Sequence, residues 1–204
     1  MLFRIRLFTT IILVAIILLP HLARGQQSLT FSVFNEATAI PFTTFPQGPL
    51  HPGIQAGTAF DWKEGRHFRL YPSINAGYMF HRKLFQGFYA NVELGFDYKT
   101  SFGLNLKSKL GMGYLRTYTT RQEYQFVNGR YESRGDKGNS RFMPSLTLGL
   151  GYDLRKRDPY SPELFLLYQS WLEYPYSPGF IPVMAHTNIH FGARIYTSKL
   201  KQDK

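Results

Sequence analysis

Residues 145–153 read Ser-Leu-Thr-Leu-Gly-Leu-Gly-Tyr-Asp. Leu146, Leu148, Leu150 and Tyr152 fall on one side of an extended chain, and Ser145, Thr147, Gly149, Gly151 and Asp153 on the other. Successive strand side chains point to opposite faces, so this strict alternation predicts a strand with one apolar face and one polar, glycine-rich face. The pattern recurs along the chain. Phe88, Ala90, Val92, Leu94, Phe96 and Tyr98 oppose Asn91, Glu93, Gly95 and Asp97, and Ile189, Phe191, Ala193 and Ile195 oppose Asn188, His190, Gly192 and Arg194. Leu110, Met112 and Tyr114 oppose Lys107, Lys109, Gly111 and Gly113. Eight such segments are predicted, near 28–37, 53–62, 68–80, 87–98, 104–127, 130–153, 163–173 and 187–197. No stretch after residue 25 carries a helical period.

Three features decide what the apolar face meets. Gly57, Gly77, Gly95, Gly111, Gly113, Gly149, Gly151 and Gly192 all lie on the polar faces. Glycine weakens a solvent-facing strand but makes room inside a narrow barrel. Aromatic residues gather near segment ends, at Trp62, Phe68, Tyr71, Phe80, Phe88, Tyr98, Tyr114, Tyr118, Tyr152, Trp171 and Tyr196, as membrane interfaces favour. The connections also alternate: 63–67, 99–103 and 154–162 are short, whereas 38–52, 119–141 and 174–186 are long, with 81–86 the exception. Short periplasmic turns and long outer loops make that alternation. The expected fold is an eight-stranded antiparallel transmembrane up-and-down β-barrel. A secreted soluble barrel, with the faces inverted, is the competing reading.

The first 25 residues, MLFRIRLFTTIILVAIILLPHLARG, are read separately. Arg4 and Arg6 precede an apolar run at 11–19, and Ala23 and Gly25 stand at −3 and −1 of a cleavage site ahead of Gln26, the layout of a secretory signal peptide. The barrel domain is then 26–204. Loss of the signal's three arginines lowers the net charge from +11 to +8. The absence of cysteine excludes disulfides, thiolate metal sites and cysteine nucleophiles. The basic balance does not imply nucleic acid. Anionic lipopolysaccharide is the better-matched partner.

Within 119–141, Asn128-Gly129 is a two-residue hairpin signal flanked by Tyr124, Phe126 and Tyr131. Strands five and six are therefore expected to run on above the membrane as one tall ribbon. Arg121, Tyr124, Arg130, Tyr131 and Arg134 are candidate outer-loop binding residues, with Lys137 and Arg141 adding positive charge. Inside, Asp97 with Lys107 and Glu93 with Lys109 are expected to pair across a turn near 101–102, and Arg194 joins this lumen network. A lumen filled in this way is expected to specify the barrel rather than to conduct, and a narrow solute pore is the sharper alternative.

Chemical signatures are sparse. No zinc-protease motif, metal-ligand spacing or phosphate-binding glycine loop occurs, so neither metal nor cofactor is expected. His186 and His190 share a strand face, one near the rim and one in the lumen.

With its signal ending Gly25-Gln26-Gln27, glycine-spotted alternation and last strand Asn188-Ile-His-Phe-Gly-Ala-Arg-Ile-Tyr196, the chain resembles small outer-membrane β-barrel proteins of Gram-negative bacteria, of the Bacteroidetes kind. The resemblance implies an outer-membrane location, and Gly192, Ile195 and Tyr196 resemble the C-terminal signal read by the barrel-assembly machinery. The eight residues after Tyr196 depart from that signal. In size the chain is also similar to the lipid A deacylases, whose motif sets a histidine two residues before a serine. Here His186 is followed by Asn188 at the serine's place. A Ser170–His186 pair on neighbouring strands is the remaining catalytic candidate. The function expected is a non-enzymatic structural or surface-binding role for a monomeric barrel, with lipid A modification or a narrow pore as alternatives.

Overall fold

The computed structural model describes residues 27–43, 49–120, 123–127, 129–156, 158, 161–177 and 179–197. The expected signal segment lies outside them. The strands are β1 (Gln27–Ala37), β2 (Pro52–Phe60), β3 (Lys63–Glu64), β4 (Phe68–Phe80), β5 (Phe85–Lys99), β6 (Leu104–Thr119), β7 (Glu123–Val127), β8 (Arg130–Arg134), β9 (Asn139–Asp153), β10 (Glu163–Glu173) and β11 (Met184–Tyr196). Eight of them form one antiparallel ladder, β2-β1-β11-β10-β9-β6-β5-β4, and β4 pairs back onto β2. The sheet is thus a closed barrel, with the short β3 added beside the lower end of β4. Both ends of the described chain lie at its lower end, with the turns 61–67, 100–103 and 154–162. The connections 38–51, 81–84, 120–138 and 174–183 lie at the upper end.

The alternation read in the sequence selects the two faces. Leu146, Leu148, Leu150, Phe88, Val92, Leu94 and Phe96 are exposed on the outer wall, while Thr147, Ser145, Asn91, Glu93 and Asp97 are buried inside. In water this continuous wall would exceed any apolar patch that a soluble monomer tolerates. In hydrocarbon each Leu, Val or Phe contributes about 1.5–3 kcal/mol by leaving water. The soluble inversion of the faces is therefore excluded.

Two prolines test the ladder, because proline cannot donate within a central strand. Pro72 pairs with Leu94 on β5, but β2 has stopped pairing one residue away, at Ala59 opposite Ser73. Pro144 pairs with Met112, and β10 has stopped at Trp171 opposite Ser145. Both stand at lapses in the pairing on their other side.

Two expectations are corrected. The upper ribbon is not a continuation of β6 and β9: the wall strands end at Thr119 and begin again at Asn139, and β7–β8 form a separate two-stranded sheet. Asp136 explains the interruption. Its carboxylate accepts the backbone N–H groups of Thr119 and Gly138, which draws the chain out of the ladder. These amides outweigh partial burial and hold the carboxyl below its ordinary pKa. The hairpin turn itself is where the sequence places it, for Val127 pairs with Arg130 and Gly129 has φ +81°, which a side chain would oppose. Second, three aromatics assigned to the interfacial girdle point inward: Tyr71 and Trp171 are fully buried in the lumen, and Tyr196 fills its lower mouth. Trp62, Phe88, Tyr98 and Tyr114 do lie on the outer surface.

Candidate functional site in the lumen

The lower lumen holds a buried charge cluster. Asp97 accepts from Arg69 at 2.6 Å, Lys107 at 2.8 Å, the Tyr71 hydroxyl at 2.9 Å and Arg194 at 3.3 Å. Glu163 takes Lys107 Nζ at 2.5 Å, Asn105 Nδ2 at 3.0 Å and the Tyr196 hydroxyl at 2.6 Å. Asp97 and Lys107 face each other directly in the β5–β6 register. The arginine heads stack on tyrosines, Arg194 and Arg69 lying 4.5 and 4.8 Å from the Tyr71 ring centre. At the lower mouth, Asp61 stands 3.6 Å from Arg69 Nε. Burial, only partly offset by Arg69, pushes the Asp61 carboxyl up to about 6.

The middle tier is a connected polar chain. Lys109 donates to Glu93 at 2.9 Å, diagonally across the same strand pair. Asn75 and Gln169 also donate to Glu93, Asn188 donates to Gln169 at 3.0 Å, and the Trp171 indole donates to Asn188 at 3.1 Å. His190 stands between Gln169 and Ser32. Every charge expected in the lumen network, Glu93, Asp97, Lys107, Lys109 and Arg194, is therefore there and partnered.

Above this tier the lumen turns apolar. Phe34, Met79, Phe85, Tyr89, Leu115, Met143 and Trp171 form one buried cluster. Polar groups return beyond it. His186 is buried, stacked on Trp171 at 4.1 Å, with Nδ1 2.8 Å from Glu36 Oε1 and Nε2 3.2 Å from Glu173 Oε2. Arg141 pairs with Glu173 at 3.0 Å and donates to the Tyr176 carbonyl. Arg141 thus belongs to the lumen mouth and not to the outer loop. Beside Glu36, His51 and His81 stack with ring centres 3.5 Å apart. Burial, then the neighbouring His51, lower the His81 imidazole.

The Ser170–His186 pair does not assemble. Ser170 lies opposite Thr187 on the outer face of β10, whereas His186 lies opposite Trp171 and points inward. A one-residue offset in a strand sends two side chains to opposite sides of the wall. His186 is instead an orienting bridge between two carboxylates. Of the outer-loop candidates, Tyr124, Arg130 and Tyr131 are exposed on the β7–β8 hairpin; Arg134 pairs in register with Glu123, and Arg121 lies outside the described residues.

Several lumen groups escaped the sequence reading. Arg69 and Glu163 share inward parity with Tyr71 and Gln169, a signal available in principle, but β10 is apolar on both faces for half its length, which hides Glu163. Glu36 sits in the least regular segment. His51 and His81 belong to connections, where no period exists. With Glu36 they place three ligand atoms within 4.8 Å of one another, a grouping that spacing along the chain does not reveal.

No protein-family model and no curated protein matches the chain. Solved structures do. Neisserial surface protein A aligns over 83% of this chain and 94% of its own, at 8% identity and a TM-score of 0.51. Ail, the attachment invasion locus protein of Yersinia pestis, aligns over 84% and 99% at 14% identity and a TM-score of 0.44. The outer membrane enzyme PagL aligns over 82% and 98% at 10% identity and a TM-score of 0.47. The Bacteroidetes origin suggested by the sequence finds no support in these neighbours. At such identities the likeness concerns the fold alone: the chain has the closed eight-stranded barrel found in small outer-membrane proteins of Gram-negative bacteria.

Proposed function

We propose that this chain is a monomeric outer-membrane barrel with a non-enzymatic role, exported by its signal segment, folded by the barrel-assembly machinery, and binding lipopolysaccharide at its upper, outward-facing end. The observation that carries this reading is an apolar crown above a filled lumen. Ile40, Leu50, Phe126, Tyr131 (77% exposed) and Phe180 (82% exposed) stand on the upper connections, while Phe42 turns down onto Tyr168 of the outer wall. Large apolar side chains left exposed outside the membrane mark a contact surface. A basic band lies beneath them: Arg82, Lys83 and Lys137 are exposed, and Arg116 sits on the outer wall between Tyr114 and Tyr118, braced by Ser140 at 2.6 Å. In the proposed orientation this band faces the outer leaflet, where guanidinium groups would bind lipid A phosphates through paired N–H donors. The short lower turns favour a periplasmic lower end.

The test uses the full chain folded in nanodiscs. Lipopolysaccharide should bind saturably, and Arg116→Ala with Lys137→Ala should weaken it at least tenfold; equal binding by the double variant refutes the reading. Planar bilayers should stay silent, and conductance steps altered by Lys109→Ala would establish the pore instead. Expression should leave lipid A mass unchanged. Loss of one acyl chain would establish the enzyme.

A further inference from the structure

We propose that Glu36, His51 and His81 form a binding site for a divalent transition-metal ion of the zinc class at the upper mouth of the barrel. The three residues come from three elements: the top of β1, the end of the 38–51 connection and the start of the 81–84 turn. Their candidate ligand atoms lie within 4.8 Å of one another. Two nitrogen or oxygen donors on one tetrahedral zinc ion stand about 3.4 Å apart, so the group needs up to about 1.4 Å of closure, and two of its members sit on connections.

The backbone is already arranged around the group. Glu36 N–H donates to the His51 carbonyl at 2.9 Å, His51 N–H donates to Asn35 Oδ1 at 2.8 Å, and His81 N–H donates to the Phe85 carbonyl at 2.8 Å. His51 Nδ1 lies 3.1 Å from the Glu36 carbonyl oxygen. A proton on Nδ1 donated to that carbonyl leaves the Nε2 lone pair for a metal, the usual second-shell arrangement of a ligating histidine.

An independent observation points the same way. Glu36 is buried, and its two oxygens are unequal. Oε1 is taken by His186 and Thr38, while Oε2 has no hydrogen-bond partner and lies 3.6 Å from His51 Nδ1. An unpartnered buried carboxylate oxygen is costly. A cation beside the two imidazoles satisfies it.

Two imidazole nitrogens and one carboxylate oxygen suit zinc, nickel or copper, and not calcium or magnesium, which require oxygen ligands. His81 Nδ1 now accepts the amides of Lys83 and Leu84 at 3.3 and 3.2 Å. It must exchange these long contacts, or move its proton, to take the ion. This sets an expected dissociation constant on the order of micromolar, well short of closed structural sites. Bound metal would staple the first upper connection to the second and close the barrel mouth.

The experiment uses tag-free full chain, refolded in detergent and stripped with a chelator, titrated with Zn2+ by calorimetry. Each variant is first checked for folding by its unboiled gel mobility. One equivalent should bind, Ca2+ should not, and His51→Ala and His81→Ala should each weaken binding tenfold or more. His67→Ala, in the lower turn 61–67, should leave it unchanged. Absence of saturable binding by the folded chain, or undiminished binding by folded His51→Ala, overturns the site. Should the alanine variants fail to fold, X-ray absorption on the zinc-loaded wild-type chain decides: two imidazoles in the first shell support the site, and a shell without imidazole refutes it.

Discussion

Asp97→Asn removes one charge from the lower lumen without changing the side chain's shape. Asp97 and Glu163 together face three buried cations, Arg69, Lys107 and Arg194. After substitution those three cations share Glu163, with Asp61 left beside Arg69 only. Removing one partner of a buried ion pair costs about 3–5 kcal/mol, because the surviving charge stays out of water. The folding equilibrium should therefore shift by a factor on the order of a hundred to a few thousand. With its one oxygen at the Oδ2 place asparagine still accepts from Arg69, and its amide can donate to the Tyr71 hydroxyl, which places the loss toward the lower figure. The assay is urea unfolding of the barrel in phosphatidylcholine vesicles, followed by tryptophan fluorescence and unboiled gel mobility. A second substitution sharpens the test. Lys107→Met in the Asp97→Asn background removes an unmatched cation, and the double variant should recover about 2 kcal/mol of the loss. A loss below about 1 kcal/mol for Asp97→Asn, or a double variant as unstable as the sum of the singles, would refute the view that this cluster holds the barrel together as a unit.

Other outcomes follow from the same structure. A methyl at Gly149 would lie 2.3 Å from the Leu166 carbonyl oxygen and 2.8 Å from Leu167 Cα, so Gly149→Ala should destabilise by at least about 1–3 kcal/mol in the same unfolding assay. Gly135 has nothing within 4 Å, so Gly135→Ala should fold and unfold like wild type. The Asp61 carboxyl is raised from 3.8 to about 6 by burial, so between those values the folded barrel binds more protons than the unfolded chain. Stability should accordingly fall as pH rises from about 4 to 6, and Asp61→Asn should flatten that part of the urea-midpoint profile. Asp136→Ala frees the amides of Thr119 and Gly138, so limited proteolysis should cut the β7–β8 segment faster while the barrel's gel mobility is unchanged.

Sequence alone determined the strand count, the faces and the end that carries long connections. That information is local. A strand sends alternate side chains to alternate sides, and each wall of a membrane barrel has one uniform surrounding, so every segment repeats the same statement. Asp97–Lys107 and Glu93–Lys109 were legible because one tight turn joins their strands and leaves little freedom of register. Closure and register decided the rest. Arg69 stands opposite Asp97 in the β4–β5 register, whereas Arg194 reaches Asp97, and Glu163 the shared cations, only because the sheet curls until distant strands face one another across the lumen. Trp171 and Tyr71 look like interfacial aromatics from their places near strand ends, and only parity within the closed barrel turns them inward. Ser170 and His186 sit on neighbouring strands, yet the wall separates them. His51 and His81 lie on connections, where no alternation exists to read, and the β1–β2 and β2–β4 pairings bring them to Glu36. Contacts across a lumen follow from strand order and stagger, which no single segment encodes.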